Sequence, residues 1–274
     1  MTDIRPAAVA GTWYPGREPE LAAAVDGHIA GAGRRASPRC PRAIIAPHAG
    51  LMYSGPVAAC AYALTAECSY TAVILVGPSH FVGFRGVSIW ARGAWETPFG
   101  AMRIAEPLAA ALASEPPVIE HPAAHGREHS LEMQLPFLGR LLRDVPIVPL
   151  VMGHQDRATA VALGDTLVRV AAAHPNENLL LVASSDLSHY EDAATAAGLD
   201  ALVIRHVAAL DADRLMGAIE DEPRHACGGG PMVAVLHAAR ALGCTRAEVL
   251  RYADSGDVSG DKSSVVGYMA AAIW

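Results

Sequence analysis

The sequence predicts an α/β fold: a single domain over residues 1–274 whose central sheet is mostly parallel or mixed, with helices on both faces. Two observations predict it. Short apolar runs rich in Val, Ile and Leu recur at 43–46, 72–76, 145–151 and 179–183, and they are continuous rather than alternating, as in strands buried on both sides. Ala-rich segments with helical spacing lie between them, the order expected of a parallel sheet whose crossovers are helices.

Taken in order, 43–46 is too short for a helix and stops at Pro47, so it is a strand. Helical spacing covers 56–66. The strand 72–76 ends in the turn residues Gly77-Pro78. Helices over 107–113 and 128–142 precede the strand 145–151, and a helix over 157–173 follows it. The strand 179–183 leads to a helix over 193–210. The remainder adds a helix over 232–242 and two strands, about 247–253 and 263–273. No Pro/Gly/Ser linker, composition shift or internal repeat divides the chain.

Composition excludes several function classes. The 274 residues are 52% hydrophobic and 18% charged, with mean hydropathy +0.24, which excludes intrinsic disorder. The formal charge of −7, with no polybasic run, argues against binding nucleic acid or an anionic membrane. No apolar run approaches the roughly 18 residues of a membrane span, and the first residues lack the plan of a signal peptide. Five cysteines (40, 60, 68, 227 and 244) without a Cys-x-x-Cys pair fit a reducing compartment better than a disulfide scaffold, so a cytoplasmic location is expected.

Two nucleotide motifs fail on inspection. Gly256-Asp-Val-Ser-Gly-Asp-Lys262-Ser263 nearly spells a P-loop around the chain's only lysine, but Asp261 stands where a second glycine is needed. Gly31-Ala-Gly33-Arg-Arg-Ala36 matches a dinucleotide fingerprint, yet it follows a helical stretch and precedes prolines 38 and 41.

The chemistry gathers at strand ends. Strand 43–46 runs into Pro47-His48-Ala-Gly50, strand 72–76 into Gly77-Pro-Ser-His80, and strand 179–183 into Ser184-Ser-Asp186-Leu-Ser-His189. The carboxyl ends of parallel strands share one rim, so His48, His80, Asp186 and His189 are expected to converge as a metal or catalytic cluster. Cys227, in Cys227-Gly-Gly-Gly-Pro231 ahead of a helix, is expected to gain thiolate character from the helix N-terminus. His125, Glu128 and His129 fit the spacing H-x-x-E-H of inverted zinc peptidases, but Pro122 and Gly126 place the helix start near Glu128 and leave His125 outside. Glu128 and His129 are expected to face the crevice from that start. Trp13 and Tyr53 are candidates to line its mouth and contact substrate.

These residues carry a resemblance. Gly11-Thr-Trp-Tyr-Pro, Ala46-Pro-His-Ala-Gly50 with Tyr53-Ser-Gly55, Gly77-Pro-Ser-His80, Glu128-His-Ser-Leu-Glu132 with Gln134-Leu-Pro136, Ser184-Ser-Asp-Leu-Ser-His189 and Cys227-Gly-Gly-Gly-Pro231 look like the Memo family. Its bacterial and archaeal members are named AmmeMemoRadiSam system protein B, and the match runs through nearly the whole chain in motif order. The resemblance implies a fold similar to the catalytic subunit of class III extradiol ring-cleaving dioxygenases, which hold Fe(II) with two histidines and a glutamate and use a further histidine as acid/base. Carried over, it implies His48, His80 and Cys227 as metal ligands and His189 as the acid/base, with Asp186 close by; Glu128 and His129, facing the crevice, are added to His189 and Asp186 as catalytic candidates. A thiolate where those enzymes use glutamate makes a softer site, suited to Fe(II) first and to Cu or Zn otherwise.

The implied function is a metal-binding, dioxygenase-like oxidoreductase taking a small-molecule or peptide ligand in the crevice. A non-catalytic adaptor using the same crevice and a zinc-dependent hydrolase are the alternatives. The family name also implies a pathway link to AMMECR-type and radical-SAM proteins.

Overall fold

In a computed structural model, which describes residues 3–33 and 39–274, the four apolar runs are four neighbouring parallel strands. The first strands along the chain are β1 (Ile4–Arg5), β2 (Ala43–Ala46), β3 (Ala72–Pro78) and β4 (Val87–Ile89). Then come β5 (Ala94–Thr97), β6 (Gly100–Arg103), β7 (Val118–Glu120) and β8 (Ile147–Met152). The last are β9 (Leu179–Ser184), β10 (His189–Glu191), β11 (Ala247–Asp254) and β12 (Val265–Ile273). The main sheet has the order β10-β12-β2-β9-β3-β8-β4-β7, with β11 also paired to β12. Its centre, β2-β9-β3-β8, is parallel; β10 and β11 are antiparallel to β12, β12 to β2, and β4 to β8, so the sheet is mixed.

Every residue of β2, β3, β8 and β9 is buried. Side chains alternate across a strand, so full burial means that both faces are covered. The longer covering helices include α1 (Glu18–Ala32), α2 (Leu51–Tyr62) and α3 (Glu106–Ala113), followed by the short α4 (Ala123–Gly126) and α5 (Leu135–Leu141). Next are α6 (Arg157–Ala173), α7 (Ala193–Ala208), α8 (Ala212–Asp221), α9 (Gly229–Ala241) and the short α10 (Gly256–Ser259). Helix α2 packs on β2 and β12, α9 on β2, β3 and β9, and α7 on β11 and β12. Aspartates cap the starts of α6 and α7: Asp156 accepts from the Thr159 amide, and Asp192 from those of Ala194 and Thr195.

Departures from the sequence reading include three in the fold. A separate small sheet, β1-β5-β6, was not anticipated. The helix expected over 128–142 starts late: 128–131 are not helical, Glu132–Gln134 make a 3-10 turn, and α5 begins at Leu135. Glu128 explains the delay, because its carboxylate accepts from the His129 and Ser130 amides and so offers the backbone an alternative to helix bonds. Third, Cys40 and Cys68 form a disulfide, although the sparse, odd set of cysteines was expected to fit a reducing compartment better than a disulfide scaffold; the fold sets their Cα atoms 5.8 Å apart across 28 residues.

The rejected motifs are also explained. Lys262 is held by Asp254 and Asp257 at 2.7 and 2.6 Å, so its charge is spent on carboxylates. In the dinucleotide-like stretch, α1 runs to Ala32, and residues 34–36 lie outside the described residues. No helix among the described residues is long and apolar enough to cross a membrane.

His125 is not part of the histidine cluster; its ring lies beside Trp90 and Trp95. Its Nε2 lies 2.9 Å from Ser88 Oγ, and that hydroxyl donates to the His121 carbonyl, so Nε2–H donates and Nδ1 is an acceptor without a partner. Burial, with the Arg5 charge nearby, holds its pKa down at about 3. An unfolded chain protonates this ring below about 6.5. Between pH 6.5 and 3 the unfolded state therefore binds the extra proton, and stability falls as the pH falls through that window. The His125→Gln variant, which keeps a donor for Ser88, should lose about 2 kcal/mol less than wild type between pH 7.5 and 5 in urea titrations. Identical pH slopes for the two proteins would show that His125 is not buried in its neutral form.

Candidate metal centre

The adjacent strands β2, β9 and β3 deliver their carboxyl ends to one rim, where His48, Asp186 and His80 follow them by two residues each. The rings of His48 and His80 have centroids 5.2 Å apart. His129, from the non-helical turn 128–131, completes the group at 5.6 Å from His48 and 4.5 Å from His80. One ligand nitrogen from each of the three lies within 4.8 Å of the others. That spacing lets three imidazoles share one metal ion.

Hydrogen bonding fixes the tautomer of two rings. Ser184 Oγ donates to the Ser130 carbonyl at 2.6 Å and accepts from Gln134 Nε2, so its bond to His48 Nδ1 has the ring N–H as donor. His48 Nε2 is thereby left as a lone pair. His80 Nδ1 lies 2.9 Å from Glu128 Oε1, which as a carboxylate only accepts, so Nδ1 carries the hydrogen and Nε2 is the atom the neutral ring would offer a metal. Carboxylate or hydroxyl partners of this kind orient ligating histidines and raise their basicity. Glu128 also accepts from the amides of His80, His129 and Ser130. Burial alone would raise its pKa, but the His80 ring and these amides hold it at about 2, fully ionised.

Two of the rings, His48 and His129, are kept neutral. Burial, then the neighbouring histidines, pushes His48 well below its ordinary value, and burial with His80 nearby holds His129 at about 4. Neutral imidazole is the form that binds a metal.

Cys227 Sγ lies 3.2 Å from His48 Nε2 and 3.6 Å from the Asp186 carbonyl. The expected thiolate is not what its surroundings favour: burial, then the Asp186 charge, pushes the thiol up, and α9 starts two residues later, at Gly229. With His48 Nε2 a lone pair, the thiol is the hydrogen donor between them. The glycine run permits this approach, since a Cβ on Gly228 would lie 2.5 Å from the Ser184 carbonyl oxygen. Asp186 anchors the loop by accepting from the His48 amide at 2.7 Å, and burial raises its carboxyl to about 6. His189 donates Nδ1–H to the Leu187 carbonyl, which leaves Nε2 as the nitrogen not engaged by that bond.

Trp13 lies against His129 with ring centroids 4.3 Å apart, and Phe81, not anticipated from sequence, reaches the same ring at 5.8 Å. Tyr53 sits half-buried in the first turn of α2, beside Gly50. Sequence reasoning also missed the support beneath the site. Arg5 is buried against Glu132 at 2.6 Å, donates to the carbonyls of His125 and Glu128, and stacks on Trp95. Glu132 in turn accepts from the amides of Ala8 and Val9 and from the Tyr14 hydroxyl. That clamp holds segment 5–14, which carries Trp13, on the turn that carries His129. No local pattern announces a pair 127 residues apart.

Comparison with known proteins agrees with this architecture. A model of the family described as Memo-like protein matches residues 5–272. A MEMO1 family protein of Sulfurisphaera tokodaii is 38% identical over 97% of this chain and 98% of its own. The MEMO1 family protein MJ0403 of Methanocaldococcus jannaschii is 35% identical over the full length of both. Among solved structures, the uncharacterized protein JW3007 of Escherichia coli K12 superposes with a TM-score of 0.55, covering 85% of this chain and all of that one; at 18% identity it shows a shared fold. Full-length identity to such relatives and the family match together place this chain in the Memo-like family.

Proposed function

We propose that the protein is a non-haem metal oxidoreductase of dioxygenase-like character, with Fe(II), or else copper, held by His48, His80 and His129 and with Cys227 as a further, softer donor. The observation that carries this reading is the convergence of three imidazoles, two of them with Nδ1–H already engaged by Ser184 and Glu128, which leaves Nε2 as the ligand atom of each. The donor set fits: nitrogen donors with a nearby sulfur suit iron, copper or zinc. Iron or copper bound there would supply electron transfer between a small organic substrate and dioxygen. His189 Nε2 would take or return the substrate's proton, and Asp186, buried and raised to about 6, would balance the charge as it does so. Trp13 and Phe81 would keep bulk water from the His129 side. The sequence resemblance extends the reading to a fold relationship with class III extradiol dioxygenases and to a pathway shared with AMMECR-type and radical-SAM proteins.

Metal analysis after anaerobic purification tests it. Wild type should carry near-stoichiometric iron or copper, His48→Ala, His80→Ala and His129→Ala should lose it, and Cys227→Ser should retain less. Zinc in the same pattern would overturn the redox reading in favour of hydrolysis. Protein that stays metal-free after anaerobic Fe(II) and copper reconstitution would make the crevice a binding site without a metal.

A further inference from the structure

Cys227 forms part of two surfaces. Its Sγ faces His48, and the residue also lines a cavity of about 630 Å³ between the 154–156 turn, α8 and the 223–227 segment. Gln155 braces this wall by donating to the Cys227 carbonyl at 2.7 Å and accepting from the Gly230 amide at 2.9 Å. One side of the cavity is apolar, formed by Met216, Ile219, Pro223 and Ala226. The volume matches that of pockets holding small organic ligands.

The charged groups of this cavity are not equivalent. Glu220 is engaged by Arg157, which donates to both of its oxygens. Asp156 caps α6, and its carboxyl is held low first by the Thr159 amide and further by Arg85 and His154. Arg85 is exposed on the wall and has no carboxylate within salt-bridge distance among the described residues. The cavity therefore offers an apolar face, an arginine that makes no salt bridge among the described residues although the Asp156 carboxylate lies in the same wall, and a floor at Cys227.

We propose that this cavity is the substrate's entrance to the metal centre on the Cys227 side, and that it takes a small organic anion, a carboxylate or phosphate, whose body lies on the Met216 and Ile219 face while Arg85 holds its charge. The proposal rests on the reading of the histidine cluster as an active centre, but its geometry needs no metal. It gives the protein two approaches to one centre: this one beside the thiol, and the Trp13 and Phe81 side over His129.

Alkylation of Cys227 in metal-free protein tests the proposal, with each thiol followed separately by peptide mass. Iodoacetate is an anionic probe and iodoacetamide its neutral counterpart, and the ratio of their rates cancels the thiol's own ionisation. Cys60 and Cys244 are buried and serve as internal references. Arg85→Glu should lower the iodoacetate/iodoacetamide ratio at Cys227 roughly five-fold at low salt. Pro223→Trp, at an exposed lining position, should slow both reagents. Rates indifferent to both substitutions but faster in Trp13→Ala would show entry over the histidines and overturn the proposal. So would a Cys227 that reacts only in urea. Because no metal is present, these outcomes stand apart from the metal analyses of the histidine variants.

Discussion

Replacing Glu132 with glutamine should lower the free energy of unfolding by about 3–5 kcal/mol, the cost of leaving a buried cation without its partner. Arg5 and Glu132 are at most 1% exposed, and their contact is 2.6 Å. The substituted amide could still accept from the Tyr14 hydroxyl or the amides of Ala8 and Val9, but it would not neutralise Arg5, and one of the two former acceptors would become a donor. A typical domain is stable by about 5–15 kcal/mol, so the loss is a large fraction of the total. Urea unfolding of Glu132→Gln, Arg5→Met and the double variant Arg5→Met/Glu132→Leu separates pairing from packing. The double variant should recover at least half of the single loss, since a buried pair can be exchanged for apolar groups at little cost. Additive losses would show that the ions act independently. The functional consequence follows from position: the clamp fixes residues 5–14, and Trp13 should lose its seat on His129 in the single variants.

The sequence made the central strands and their chemistry legible for a physical reason. A parallel strand buried on both faces must be a continuous apolar run, and the first polar residues after it must lie at the rim. Thus 43–46 was bounded to the residue, and His48, His80 and Asp186 emerged together. Elsewhere the signal was too short or not local. β1 has two residues and β4 and β7 three each, too few to show a period. His129 was expected at a helix start because Pro122 and Gly126 place that start near Glu128; the turn of the Glu128 carboxylate onto the amides of His129 and Ser130 withdraws His129 from the helix and leaves it beside His48 and His80. The Cys40–Cys68 and Arg5–Glu132 pairings depend on tertiary contact alone.

Glu128 joins these two themes, because one carboxylate shapes the backbone and aims a ligand. Its Oε1 receives His80 Nδ1 and the amides of His129 and Ser130, and its Oε2 receives the His80 amide at 2.6 Å. All four partners are donors, which suits a carboxylate and does not suit an amide. In Glu128→Gln the side-chain NH2 must face at least one N–H, so the turn loosens and His80 loses the acceptor that fixes its Nδ1–H tautomer. Metal affinity should fall about 10- to 100-fold, the usual cost of losing the group that orients a ligating histidine, and the fold should lose about 1–3 kcal/mol from the unsatisfied N–H groups. Chelator competition at pH 7 reads the first effect and urea unfolding of metal-free protein the second. With its pKa depressed to about 2, the carboxylate contributes fully above its unfolded value near 4.5, and its contribution disappears as the pH falls toward 2. The stability gap between wild type and Glu128→Gln should therefore be constant above pH 6 and narrow in acid. An unchanged metal affinity would mean that His80 is oriented without Glu128, and a pH-independent gap would mean that Glu128 is not ionised where it lies.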